Sequence, residues 1–181
     1  MKLVLDYLKH QRNSQIIPFI QEGKNILELG CGQAPLTKYL NSTQNYTGID
    51  RAEIRLNKKN CKIIKSDLEK EEINLEQEFD LILLVAFIEH LKNPDPLIVK
   101  IKKVLSEKGK IVLTTPTPLG NFLHTIGAYM GLTAMSAVHD HFIIYNKKNI
   151  LKLCERNNLT LRCYHRFLFG LNQIIVLENK K

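Results

Sequence analysis

From residue 25 onward the chain repeats one pattern: a short apolar run closes on glycine or aspartate, and a helical stretch follows. The first run, 25–29, closes on Gly30 and Gly32. The second, 46–49, closes on Asp50, and the third, 61–64, on Ser66 and Asp67. Runs at 79–85 and 110–115 complete the series. The spacing predicts a helix over 34–40, with Pro35 tolerated in its first turn. A second helix after Pro94 carries Leu97, Ile98, Ile101, Val104 and Leu105 on one side and Lys100, Lys102 and Lys103 on the other, until Gly109 breaks it. Asn146 is placed to cap a third, reaching residue 157. Strands alternating with helices in this way call for a parallel sheet covered on both faces. The last two runs, 159–166 and 173–178, are joined by a short link containing Gly170. No helical crossover fits in that link, so this pair is expected to be an antiparallel hairpin.

A chain of 181 residues suits one domain around one core, here spanning 1–181. Two short helical patterns open it within 1–22, the second starting at Ser14. Residues 116–145 are its least regular part and are expected to form a cap of loop and helix over the strand ends. The formal net charge of +8 comes from lysines scattered along the chain, which fits a solvated surface better than a nucleic-acid stripe. Cys31, Cys61, Cys154 and Cys163 form no CxxC pair, which argues against a zinc ribbon or a disulfide framework and fits a reducing cytoplasm. No targeting segment is evident. The longest apolar run, 81–88, is far too short to span a bilayer, so no membrane partner is expected.

In open α/β sheets, ligands bind at the carboxyl ends of the strands where strand order reverses. Gly30 and Gly32 permit a tight bend and a close backbone approach there. Asp50 lies about twenty residues beyond the first glycine, where a carboxylate can accept from both hydroxyls of a ribose. Asp67 is placed to take the amino group of an adenine. A dinucleotide fingerprint would want a third glycine where Pro35 stands, and Glu28 would repel a phosphate. Both features disfavour a nicotinamide oxidoreductase, and Glu28 suits a ligand carrying an ammonium or sulfonium.

The segment Ile26-Leu27-Glu28-Leu29-Gly30-Cys31-Gly32 resembles motif I of the class I S-adenosylmethionine (SAM)-dependent methyltransferases. Gly48-Ile49-Asp50 resembles their ribose-binding motif, and Ser66-Asp67-Leu68 their adenine-binding acid. The fourth run with Glu89-His90-Leu91, and the fifth through Thr114-Thr115-Pro116, resemble the later motifs, so residues 25–116 are covered. The resemblance implies a Rossmann-like α/β fold with a seven-stranded, mostly parallel sheet whose last strand is antiparallel. It implies SAM as cofactor, S-adenosylhomocysteine (SAH) as product, and a pocket that includes Glu28, Gly30, Cys31, Gly32, Asp50, Asp67, Leu68 and the backbone near Val85.

SAM already carries an electrophilic methyl group, so catalysis is chiefly positioning, plus proton removal when the acceptor is a hydroxyl. Candidates for that task are His90, His124, Tyr129, His139 and His141, with His90 and His139 favoured and His124 read as structural. Glu-His followed by a distant His-Asp is similar to ubiquinone-biosynthesis O-methyltransferases and to small-RNA 2′-O-methyltransferases. There the resemblance implies a divalent metal, which here would fall to Glu89, His90 and His139. This chain departs from that pattern, because the glutamate expected three residues before Glu89 is Ala86. The donor set is incomplete, and no metal is expected. The acceptor expected is a small molecule, with a hydroxyl oxygen considered first. RNA is the alternative acceptor, and a catalytically silent SAM-binding or scaffolding subunit the alternative role. Oligomeric state is not legible.

Overall fold

The computed structural model describes residues 2–71, 75–129 and 141–180. Helix α1 (Lys2–Glu22) leads into strands β1 (Asn25–Leu29), β2 (Asn45–Asp50), β3 (Cys61–Lys65) and β4 (Phe79–Val85). Helix α2 (Asp95–Lys103), strand β5 (Leu105–Pro116), helices α3 (Pro118–Tyr129) and α4 (Lys147–Arg156), and strands β6 (Leu159–Phe167) and β7 (Asn172–Asn179) follow. The strands form one sheet of seven in the order β3-β2-β1-β4-β5-β7-β6. Neighbours from β3 to β5 are parallel, and β7 runs antiparallel to both β5 and β6. The expected hairpin is present, and β7 alone opposes the other six strands.

The alternation along each strand sorts the core into two layers. Leu27, Leu29, Ile82, Leu84, Ile111 and Leu113 face the apolar stripes of α2 and α4. Ile26, Leu81, Leu83 and Val112 face Ile16 and Ile20 of α1. Each stripe supplies the period-3.6 face that a strand pair needs in order to bury its own. Among the described residues, no helix is long and apolar enough to cross a membrane.

Three local expectations change. The two N-terminal patterns are one helix, α1, which carries Pro18 inside it. Ser14 lies within it, its hydroxyl donating to the Gln11 carbonyl at 2.7 Å. The segment after the glycine turn is a 3-10 helix, Pro35–Tyr39, entered through Ala34 at φ 49°. Strand β5 begins at Leu105 and runs through Gly109, where an added Cβ would stand 2.6 Å from a Leu105 methyl. Gly109 is there for close packing and does not end the helix.

Chain order reverses on either side of β1: β2 and β3 lie to one side, β4 and β5 to the other. The crevice between the carboxyl ends of β1 and β4 is therefore the place for a ligand.

Candidate functional site

A cavity of about 570 Å³ opens at that crevice, within the range of about 300–1,000 Å³ usual for small-molecule sites. Gly30, Asp50, Asp67, Leu68, Phe87 and His90 line it. Gly30 and Gly32 have φ of 68° and 52°, the left-handed region that L side chains avoid. A Cβ on Gly30 would stand 2.2 Å from the Phe87 ring. The aromatic ring after β4 therefore rests on the bare backbone of the glycine turn.

The two acids at the ends of β2 and β3 are held by different partners. Asp50 accepts from the Gly32 amide at 2.8 Å and from the Ala52 amide at 2.9 Å. Asp67 lies 3.1 Å from the Lys70 ammonium and accepts from the Glu69 amide at 3.2 Å. Lys70 is the main reason that the Asp67 carboxyl titrates below its ordinary range. Both carboxylates stay on the cavity wall, with lone pairs left for a ligand.

Four other expected cofactor residues, Glu28, Cys31, Gly32 and Val85, are not part of that lining. Glu28 is buried and receives the Tyr46 hydroxyl at 2.5 Å. Burial pushes its carboxyl up to about 8, against the pull of the Tyr46 bond. Glu28 is thus tied to β2 through Tyr46. Cys31 is pushed up to about 12, first by burial and then by Glu28 and Asp50. That removes any reactive thiolate from the turn. Ala86 and Phe87, one and two residues past Val85, reach the cavity instead. Ala86 holds φ 50°, a strained value for a residue with a side chain.

On the other side of the crevice, a polar cluster joins the cavity to α3. The ring centroids of His90 and His141 are 4.9 Å apart, edge to face. His124 stacks on His141 at 6.3 Å. His141 Nδ1 is 2.7 Å from the Asn121 side-chain oxygen. Glu89 is buried at the base, and its carbonyl accepts from the Phe142 amide at 2.9 Å. Burial raises the Glu89 carboxyl, opposed by its own backbone and by His90, Thr115 and Arg12. Burial lowers the Arg12 guanidinium, opposed by Glu89.

Glu89, His90 and His141 each offer a ligand atom, and these atoms lie within 4.8 Å of one another. Among the described residues, His141 therefore joins Glu89 and His90. His139 lies outside the described residues, as does the Tyr129 side chain. The trio fits a divalent cation poorly. It brings one carboxylate, already facing the fixed charge of Arg12, and Ala86 offers only a methyl where a second acid would stand. Sequence reading missed Arg12, Phe87, Lys92 and Phe142. Nothing in the local pattern of α1 distinguishes Arg12 from a solvated arginine, because its partner lies far along the chain.

Residues 6–164 match a family model described as a methyltransferase domain. (S)-coclaurine N-methyltransferase of Thalictrum flavum subsp. glaucum is 29% identical over 103 residues, covering 50% of this chain and 28% of that enzyme. Ubiquinone biosynthesis O-methyltransferase of Nitrosococcus oceani is 26% identical over 153 residues, covering 77% of this chain and 65% of that enzyme. The chain thus spans less than two thirds of either relative's length. Among solved structures, the magnesium protoporphyrin IX methyltransferase of Synechocystis with bound SAH superposes with a TM-score of 0.65 at 13% identity, over 94% of this chain and 83% of that one. A plantazolicin methyltransferase complexed with SAH gives 0.72 at 15% identity, over 99% and 90%.

Proposed function

This chain belongs to the family of SAM-dependent methyltransferase domains, and we propose that it passes the methyl group of SAM to a hydroxyl oxygen of a small-molecule acceptor. Asp50 takes the ribose hydroxyls and Asp67 the adenine amino group, with Leu68 against the adenine ring. The glycine turn leaves its backbone open toward the methionine part. The observation that carries the acceptor half is the position of His90. It lines the same cavity as Asp50 and Asp67, while its ring abuts His141.

In this reading His90 accepts the proton of the acceptor hydroxyl. The freed oxygen lone pair attacks the methyl carbon. The carbon–sulfur bond breaks, and its electron pair stays on sulfur to give neutral SAH. His141, held by Asn121, positions the His90 ring. Glu89, buried beside His90, stabilises the imidazolium. No step is routed through a metal, for the reasons of charge given above. Free cysteines suit a reducing cytoplasm as the setting.

Similarity to plant N-methyltransferases supports a second reading, with nitrogen as the acceptor atom. The two readings separate on the need for a base, because a neutral amine attacks without losing a proton first. The test is labelled SAM with panels of phenols, sugar alcohols and amines, on the wild type and His90→Gln. Transfer to hydroxyl acceptors that falls by about a hundredfold in the variant supports the first reading. Transfer to amines alone, unchanged in His90→Gln, overturns it in favour of the second.

A further inference from the structure

Helix α3 has its amphipathic faces reversed. A surface helix normally buries its apolar stripe and shows water the polar one. In α3 the inward side carries Gly120, Asn121 and His124. A Cβ on Gly120 would stand 1.8 Å from the Leu171 carbonyl oxygen, and Asn121 and His124 both meet His141. The outward side carries Leu119, Phe122, Leu123 and Ile126 at helical spacing, exposed by 53, 59, 44 and 39%. An apolar stripe left in water is unfavourable unless something covers it.

Two further rings stand at the same end of the sheet. Phe169, 98% exposed, is in the turn between β6 and β7, whose Leu171 carbonyl α3 abuts. Phe142, 54% exposed, lines the cavity mouth with the Lys92 ammonium 5.2 Å from its ring. Helix α3 follows the carboxyl end of β5, and the Phe169 turn leads into Asn172, which pairs with Pro116 at that end. The apolar tips thus form a rim beside the cavity, on the β5–β7–β6 side.

Charge separates along the chain in a way that fits this rim. Residues 111–129 contain no Asp, Glu, Lys or Arg, whereas residues 140–181 contain eight Lys and Arg against three Asp and Glu. Arg166 and Lys147 both approach the Tyr164 ring, at 6.0 and 5.5 Å, on the strand that leads to the Phe169 turn. An apolar surface flanked by cations is the composition that binds anionic lipid.

We propose that this rim docks on an anionic bilayer, with Phe122 and Phe169 among the acyl chains and Lys92 and Arg166 at the headgroups. A bilayer is favoured over a protein partner because the tips project from three separate elements. A fluid apolar phase receives such tips without a matching surface, whereas a protein partner must supply shape complementarity. No membrane partner is expected from the apolar runs, because none is long enough to span a bilayer, but a peripheral contact needs no span. The docking does not depend on the proposed reaction, although it would turn the cavity mouth toward the headgroups.

The test is co-sedimentation of the full chain with vesicles of phosphatidylglycerol and phosphatidylcholine, and with phosphatidylcholine alone. The wild type is expected to pellet with the mixed vesicles. Phe122→Ser/Phe169→Ser is expected to lower the bound fraction by about fivefold, with SAH binding unchanged as the control for folding. Failure of the wild type to pellet overturns the proposal, and so does a double variant that pellets like the wild type. Analytical ultracentrifugation supplies the other arm: a wild-type dimer that the double variant converts to monomer makes this face a contact between copies, which also overturns it.

Discussion

The Asp50 carboxylate holds the Gly32 amide at 2.8 Å, so the acid we propose for a ribose also closes the glycine turn. Removing it acts on two things at once, the ligand contact and the shape of the turn. Asp50→Asn separates them, because the amide oxygen can still accept from Gly32 but carries no charge. We expect Asp50→Asn to melt within a few degrees of the wild type and to bind SAH about tenfold more weakly. Thermal denaturation and calorimetry on the same preparation check both halves.

Gly30 couples backbone conformation to a ring contact. Its φ of 68° costs an L side chain roughly 1–2 kcal/mol, and a Cβ would also strike the Phe87 ring at 2.2 Å. Gly30→Ala should lower the melting temperature and weaken SAH binding. Adding Phe87→Ala should recover the part due to the collision and leave the part due to φ. A double variant no more stable than Gly30→Ala alone would show that Phe87 does not rest on the turn.

Glu28 makes stability depend on pH in a direction opposite to that of a paired carboxylate. Its folded value of about 8 lies above the ordinary 4.5. Between these values the unfolded chain has lost the proton while the folded chain keeps it. Stability therefore falls as pH rises through that window, by an amount of order a few kcal/mol, and the loss is complete above it. Glu28→Gln removes this contribution. Melting curves from pH 5 to 9 should show a wild type that loses stability relative to the variant as pH rises. Parallel curves would contradict a buried, protonated Glu28.

The cluster of Glu89, His90 and His141 can be tested for metal directly. With Arg12 already facing Glu89, treatment with a chelator should leave SAH affinity and methyl transfer unchanged. Loss of transfer on chelation, restored by one divalent ion, would contradict the metal-free account.

Much of the fold was legible because the chain marks its own strand ends. The apolar runs before Gly30, Asp50 and Asp67 are short and sharply closed, so β1, β2 and β3 follow within about two residues. The hairpin followed from the length of the link around Gly170. The two N-terminal patterns were read apart although one helix runs through both, with the Ser14 hydroxyl bonding back to the Gln11 carbonyl inside it. Gly109 misled because a glycine needed for close packing inside a strand looks like a helix stop. At the site, Asp50 and Asp67 line the cavity, whereas Glu28 is buried within β1 and bonded to Tyr46, a pairing set by the β1–β2 register that no local pattern announces. Arg12 was invisible because its role comes entirely from a long-range neighbour. The reversed faces of α3 were also hidden, because its apolar spacing reads as an ordinary buried stripe until Gly120 and His141 show which side is inward.

The most direct measurement is titration calorimetry of SAH into the wild-type chain and Asp50→Ala. One site per chain is expected in the wild type, with a loss of affinity of about tenfold or more in the variant. A wild type that takes up no SAH, or a variant that binds it equally well, would contradict the assignment of the crevice between β1 and β4 to the nucleoside of SAM.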